Sequence, residues 1–462
     1  MSAALLDLCK DALARAGEKE AEICAQVRQR GFARFAIGEL GQHMELEEPS
    51  AVVRVAHGAR VAEIATSRLD LDSLVGAVHR AAVAARFVPE TEGFEGFAEG
   101  AEPLETPARY EAHTAKADAA ERVERLRPAM EAIRAAGLVS AGALETTTHA
   151  LAVATTRGCA RSYEGTVAGF KVWALETPGA GGAAGYGGHL HRDVRALRIE
   201  EETARAIRIA KLSHDPVALD EGNYDVVLEP AAISELLEWL ATIAFAAPEM
   251  ENGTSPLAGR IGERLTGETI SLVEDPNDAS ELGFAPPFDR EGTARRRVPL
   301  IENGIARSAL YDRTYAARSK TKSTGSALVP DSSLGSAIGP TGLHLNGGDA
   351  ASVDELLGGM ERGLYVCRLH YVNGFLEPRR AVMTGLTRDG CFLVEKGKIT
   401  RAVGNLRFTD SLLEGLARCD GRTRQQTAIP TWWSDTGAAV VPAVRMRSFR
   451  FNGRSQEKPR LE

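Results

Sequence analysis

Hydrophobic and polar positions follow two periods along this chain. Residues 3–17 place Leu5, Leu6, Cys9, Leu13 and Ala16 at helical spacing, a recurrence that turns one stripe of a helix inward. Residues 21–29 and 32–48 then read as strands. Residues 51–56 and 59–66 alternate around His57-Gly58, a turn pair that suits a hairpin. From 70 to 86 the helical period returns, with Leu71, Leu74, Val75, Val78, Ala81 and Ala85 on one side. Residues 88–108 mix Pro, Gly and acids without apolar runs and predict a long surface loop. A charged helix over 114–136 follows, then strands over 138–155 and 160–175 bracketing Arg157-Gly158. Six glycines within 177–188 predict a flexible loop, and 191–213 a long helix.

The punctuation His214-Asp215-Pro216 and Asp220-Glu221-Gly222-Asn223 places a boundary near 218. Beyond it come a strand over 224–228, a helix over 231–245, and mostly strands and turns. Val298-Pro299-Leu300-Ile301 and Ile305 to Leu310 form a hairpin across Glu302-Asn303-Gly304, and strands at 392–395 and 398–401 another. Short helices are expected near 352–362 and 409–418. The fold class is therefore α+β with two domains. Residues 1–218 form a mixed sheet with flanking helices, and 219–462 a strand-rich, barrel-like unit.

A chain of 462 residues is too long for one compact core, which agrees with that division. Its net charge of −8 argues against direct binding to nucleic acid, which needs a basic face. The densest basic run, Arg295-Arg296-Arg297, reads as a solvated strand or turn. Six scattered cysteines without a C-x-x-C pair fit reduced thiols. The opening residues lack the layout of a signal peptide, and no run of 18 apolar residues occurs. A cytoplasmic protein with no membrane contact is the expectation.

One ordered set of motifs goes further. Phe288-Asp289-Arg290-Glu291-Gly292, Gly304-Ile305, Tyr311-Asp312, Ala316 and Ser323-Thr324-Gly325 follow one another within 38 residues. Together with Val53-Arg54-Val55 before His57-Gly58, the 392–399 strand pair and Gly404-Asn405-Leu406, they resemble the TldD/PmbA family of peptide-processing proteins. The active branch of that family resembles metallopeptidases that hold zinc on a helix motif H-E-x-x-x-H, with a cysteine thiolate near the C-terminus as a further ligand. In such a site two imidazoles bind the ion and the carboxylate activates its water.

None of the ten histidines here is followed by Glu, and no two lie four or five residues apart. The resemblance sets Glu238 at the first imidazole position, Trp239 at the general base, Ile243 at the second imidazole and Ser434 near the thiolate. All these roles are absent together, as in the PmbA/TldE branch. The resemblance then implies no metal in this chain and zinc in a TldD-like metallopeptidase subunit paired with it. Partners would be that subunit in a heterodimer, or self in a homodimer, with a peptide substrate held by strand addition. A peptide-facing role falls to Ser323, Thr324 and Gly325. An interaction protein of the gyrase-modulator type is an alternative.

An enzyme with an unorthodox metal site is a further alternative, and His189 and His191 are its candidates: alternate residues of a strand face one way and can share an ion. Two polar residues where a glycine loop meets a helix are the commoner meaning of such a pair. His344 and His370 read as structural histidines on strands. The glycines of 179–188 lack G-x-x-x-x-G-K-[ST] and do not form a phosphate loop. Trp432-Trp433 reads as a pair buried against the second domain, or as a partner anchor.

Overall fold

The structure is a computed structural model of the chain, and it describes residues 1–100, 104, 108–176, 182–278, 280, 282–329, 337–430 and 438–454. Ser434, Trp432 and Trp433 lie outside the described residues, so their expected roles are not placed.

The N-terminal half is one six-stranded sheet. Its strands are β1 (Ala21–Ala36), β2 (Glu39–His57), β3 (Arg60–Thr66), β4 (Val139–Thr155), β5 (Ala160–Leu175) and β6 (Ala184–His191), in the order β3-β2-β1-β4-β5-β6. Every pairing is antiparallel, where a mixed sheet was expected. Tight antiparallel hairpins suffice to join β1–β2–β3 and β4–β5, and no crossover helix intervenes. The break expected between strands 21–29 and 32–48 is also corrected. β1 runs unbroken through Gly31, and the chain turns instead at Ile37 and Gly38, both at positive φ (54° and 73°), the geometry of a two-residue hairpin turn.

Helices Ser2–Ala16 and Leu71–Ala85 share a core with β1 and β2 that includes Leu5, Cys9, Leu13, Ile23, Val53, Leu74 and Val78. Asp70 begins the second helix, its side chain accepting from the Ser73 amide at 2.8 Å, an ordinary N-cap. The single helix expected over 114–136 is two, Ala112–Lys116 and Ala119–Ala135. Asp118 caps the second, accepting from the Glu121 amide at 2.9 Å. The helix expected over 191–213 is confined to Ile199–Leu212.

The glycine-rich stretch differs most from its expectation. Residues 177–181 lie outside the described residues, but 184–191 form β6 rather than a loop. The glycines act as spacers here. A Cβ at Gly185 would sit 2.1 Å from the Ala206 carbonyl oxygen, and one at Gly187 would sit 2.2 Å from that of Glu202. Their absence lets helix Ile199–Leu212 lie directly on the strand.

In the C-terminal half, strands Gly222–Leu228, Arg362–Glu377, Val382–Glu395, Leu406–Ser411 and Val444–Arg454 pair in turn. The pairing of Arg362–Glu377 with Val382–Glu395 closes them into a ring, so the barrel-like expectation holds. A second sheet is built from short segments, among them Leu272–Glu274, Val298–Glu302, Gly342–Leu345 and Ala438–Val441. Helix Pro230–Ala244 is buried on nearly every side. Its Leu236, Leu237 and Leu240 share one core with Val226, Leu364, Met383, Phe408 and Met446 from the ring. Among the described residues no helix is long and apolar enough to cross a membrane.

Candidate functional site

Helix Pro230–Ala244 starts with proline at its first turn, where the missing N–H costs nothing. Glu238, Trp239 and Ile243 all lie on it, 6%, 8% and 1% exposed. Trp239 stacks edge-on against Phe375, ring centroids 5.0 Å apart. Gly374 makes room for it, since a Cβ there would lie 3.0 Å from the indole Cε3. Ile243 belongs to the apolar core. These three side chains offer one carboxylate and no imidazole, so they do not fit a zinc ion. Among the described residues no three His, Cys, Asp or Glu side chains converge as metal ligands.

The two halves of the chain are joined by buried charge. Arg54, on β2, donates from Nε to Glu22 Oε1 at 2.8 Å and from Nη1 to Glu291 Oε1 at 3.0 Å. All three side chains are at most 9% exposed. Glu291 also accepts from the Arg313 amide at 2.9 Å. Burial, the largest single influence, would raise the Glu291 carboxyl, but Arg54, the Arg313 amide and the Arg290 charge together outweigh it and the net shift is downward. The neighbouring Asp289 is pushed up to about 7, by burial first and by the Glu291 charge second. It accepts from the amides of Glu291, Thr293 and Ala327 at 2.9–3.0 Å.

The motif residues are thus a structural knot. Asp312 caps the short helix Arg313–Arg318 by accepting from Tyr315 N at 2.7 Å. Thr324 Oγ1 accepts from Tyr311 N at 2.8 Å, and Ser323 donates to the Tyr311 carbonyl at 3.1 Å. Gly325 has φ +69°, and a Cβ there would meet the Ala294 carbonyl oxygen at 2.4 Å. Arg295 is buried, not solvated as expected; its Nη1 donates to Gly325 O at 3.0 Å and its Nε to Phe288 O at 3.3 Å. A guanidinium buried between carbonyls is satisfied by geometry that a three-residue basic run does not reveal.

This knot borders a cavity of about 140 Å³ between the halves, lined by Arg54, Phe97, Glu291, Arg313 and Ser323 among others. Arg54 lies 5.2 Å from the Phe97 ring centroid, a cation–π contact. The cavity could hold a small polar group. Ser323 does not make it a nucleophile site, because its proton is already given to a backbone carbonyl. Sequence reasoning missed Arg54 and Arg313 here. For Arg54 the available signal was a lone charge at an inward position of an apolar strand.

His189 and His191 do face one way on β6, rings nearly parallel with centroids 6.3 Å apart. Each ring also meets the local backbone. Asp193 N donates to His191 Nδ1 at 2.9 Å and Arg198 N to His189 Nδ1 at 3.4 Å. His344 sits 3.9 Å from Asp278, and burial pulls its pKa down.

A family model described as PmbA/TldA metallopeptidase C-terminal domain matches residues 221–453, half of the chain. The chain belongs to the PmbA/TldD family. The PmbA/TldD fold is matched by TldE from Thermococcus kodakarensis, with a TM-score of 0.87 at 20% identity over 97% of this chain and 99% of that one. A Thermotoga maritima protein, named as a proposed modulator of a DNA gyrase, aligns with a TM-score of 0.85 at 19% identity, covering 96% and 99%. A metalloprotease TldD homolog of Buchnera aphidicola is 24% identical over 51% of this chain and 48% of its own length. The chain spans at most about half the length of the first curated relatives it matches.

Proposed function

We propose that this chain is a TldE/PmbA-like, non-catalytic subunit of a TldD/TldE-type metallopeptidase that processes or degrades small peptides in the cytoplasm. Its two domains, 1–218 and 219–462, complete a peptide-binding assembly, and a TldD-like partner brings the zinc. The observation that carries this reading is helix Pro230–Ala244. There Glu238, Trp239 and Ile243 are buried without an imidazole among them, and the resemblance aligns them with the zinc-motif positions of the active branch. Trp cannot take a proton from a bound water, and Ile has no lone pair. Ser323, Thr324 and Gly325 are the peptide-facing candidates, and Ser323 lines the cavity between the halves.

The test is expression of the chain alone and together with a TldD-like paralogue from the same genome, with zinc content and peptide hydrolysis measured in both. A metal-free, inert lone chain and a zinc-bearing, active pair support the subunit reading. Stoichiometric zinc in the lone chain, lost in a His189→Ala variant, would instead place an active site at His189 and His191. Recovery of gyrase in a pulldown without any paralogue would support the regulatory alternative.

A further inference from the structure

A second cavity, of about 310 Å³, lies on the N-terminal sheet, far in sequence from the family motifs and lined by Gln29, Glu45, Thr114, Arg122, Thr146 and Thr148 among others. Its volume is at the lower end of the roughly 300–1,000 Å³ typical of small-molecule sites. Arg122 also lines it and is, among the described residues, the largest fully buried side chain. The sheet is shaped to receive it. A Cβ at Gly31 would lie 2.3 Å from Arg122 Nη1, so only glycine lets the guanidinium rest on β1.

Arg122 Nη1 donates to the Ala117 carbonyl at 2.7 Å and to Thr146 Oγ1 at 2.9 Å. Nη2 lies 3.1 Å from His43 Nε2 and reaches the Glu45 carboxylate. Among the described residues Glu45 is the carboxylate paired with Arg122, and its side chain is 58% exposed while that of Arg122 is 1% exposed. The carboxylate therefore sits on the solvent side of the guanidinium. A half-exposed carboxylate is well hydrated and neutralises a buried cation weakly, and burial pulls the Arg122 pKa down. Glu47, the other acid on the lining, is engaged by Gln29 Nε2 at 2.9 Å.

We propose that this pocket binds a small carboxylate ligand, with Arg122 as the anchor and Glu45 as a displaceable internal carboxylate in its place. The planar fork of the guanidinium matches a carboxylate, and the Thr146 and Thr148 hydroxyls on the lining offer neutral donors. The ligand is a short peptide's C-terminus or a free organic acid. The proposal does not depend on the subunit reading, since it concerns the lone chain and needs neither zinc nor hydrolysis.

Isothermal titration calorimetry of the full chain with N-acetyl-alanyl-alanine, its C-terminal amide and succinate tests it. Glu45→Gln frees Arg122 from its internal competitor and is expected to tighten binding of at least one of the two acids by about tenfold. The amide is expected not to bind. Binding of the acetylated dipeptide alone identifies a peptide C-terminus, and binding of succinate alone a free acid. Arg122→Met is expected to abolish the titration. Should that variant fail to fold, Thr148→Val is expected to weaken binding about threefold. Equal binding of acid and amide, no heat from either acid with Glu45→Gln, or unchanged affinity in Thr148→Val would overturn the assignment.

Discussion

Replacing Arg54 by Met tests the charge knot between the halves. The methionine keeps much of the aliphatic stem but leaves Glu22 and Glu291 facing each other, both 2% exposed at their side chains. Among the described residues Glu22 Oε2 already has no hydrogen-bond partner. Removing one member of a buried pair costs about 3–5 kcal/mol. A ceiling on the loss follows from protonation. A glutamate with an ordinary pKa of about 4.3 can take up a proton at pH 7 for about 3.7 kcal/mol, at about 1.36 kcal/mol per pH unit. With two orphaned carboxylates the expected loss is about 3–7 kcal/mol at pH 7.

The same arithmetic sets the pH dependence. In the variant both carboxyls have folded pKa values raised above their unfolded ones. Their favourable contribution is present below about pH 4 and is lost as pH rises through the raised values. At pH 5 the ceiling falls to about 1 kcal/mol per carboxylate, so the variant should regain most of its stability there. Urea unfolding followed by circular dichroism at pH 5 and pH 7 measures this. A loss below about 1 kcal/mol at pH 7, or one equal at both pH values, would refute the electrostatic account and leave only packing against Phe97. Arg54→Met with Glu22→Gln and Glu291→Gln should recover part of the loss at pH 7, because no buried charge then remains unpaired.

Three further outcomes are expected. Gly31→Ala pushes a methyl group into the Arg122 guanidinium, 2.3 Å from Nη1; it should lower stability by about 1–3 kcal/mol and abolish carboxylate binding in the same preparation. Trp239→Ala empties the space over Gly374 and Phe375 and should cost about 3–5 kcal/mol in urea unfolding; a loss near zero would show the helix is not held there. Burial, and then the Glu291 charge, push Asp312 up to about 6, so its contribution to folding is lost as pH rises from 4 through 6. Asp312→Asn, which can still cap the helix, should match the wild type at pH 4 and exceed it by about 1–2 kcal/mol at pH 7, after allowance for solvent screening; thermal melts across that range would decide.

Short-range pattern was enough for much of the chain. The alternation through 139–155 and 160–175 and the stripe through 71–85 name their elements, because burial of one face depends only on residues a few positions apart. The lack of imidazole on the helix after strand Gly222–Leu228 was likewise visible in the residue types alone. Other features depended on partners far away in sequence. Gly185 and Gly187 look like loop residues until helix Ile199–Leu212 is laid on them. Arg295 looks solvated until the carbonyls of Phe288 and Gly325 close around it. Arg54 meets Glu291 across 237 positions, and Arg122 meets Gly31 and Glu45 across the sheet. The sequence by itself determined most of the strands and helices and the residue types on the helix after strand Gly222–Leu228. Ring closure, the burial of charge and the two cavities were decided by the tertiary structure, because each depends on which distant groups exclude water from the same point.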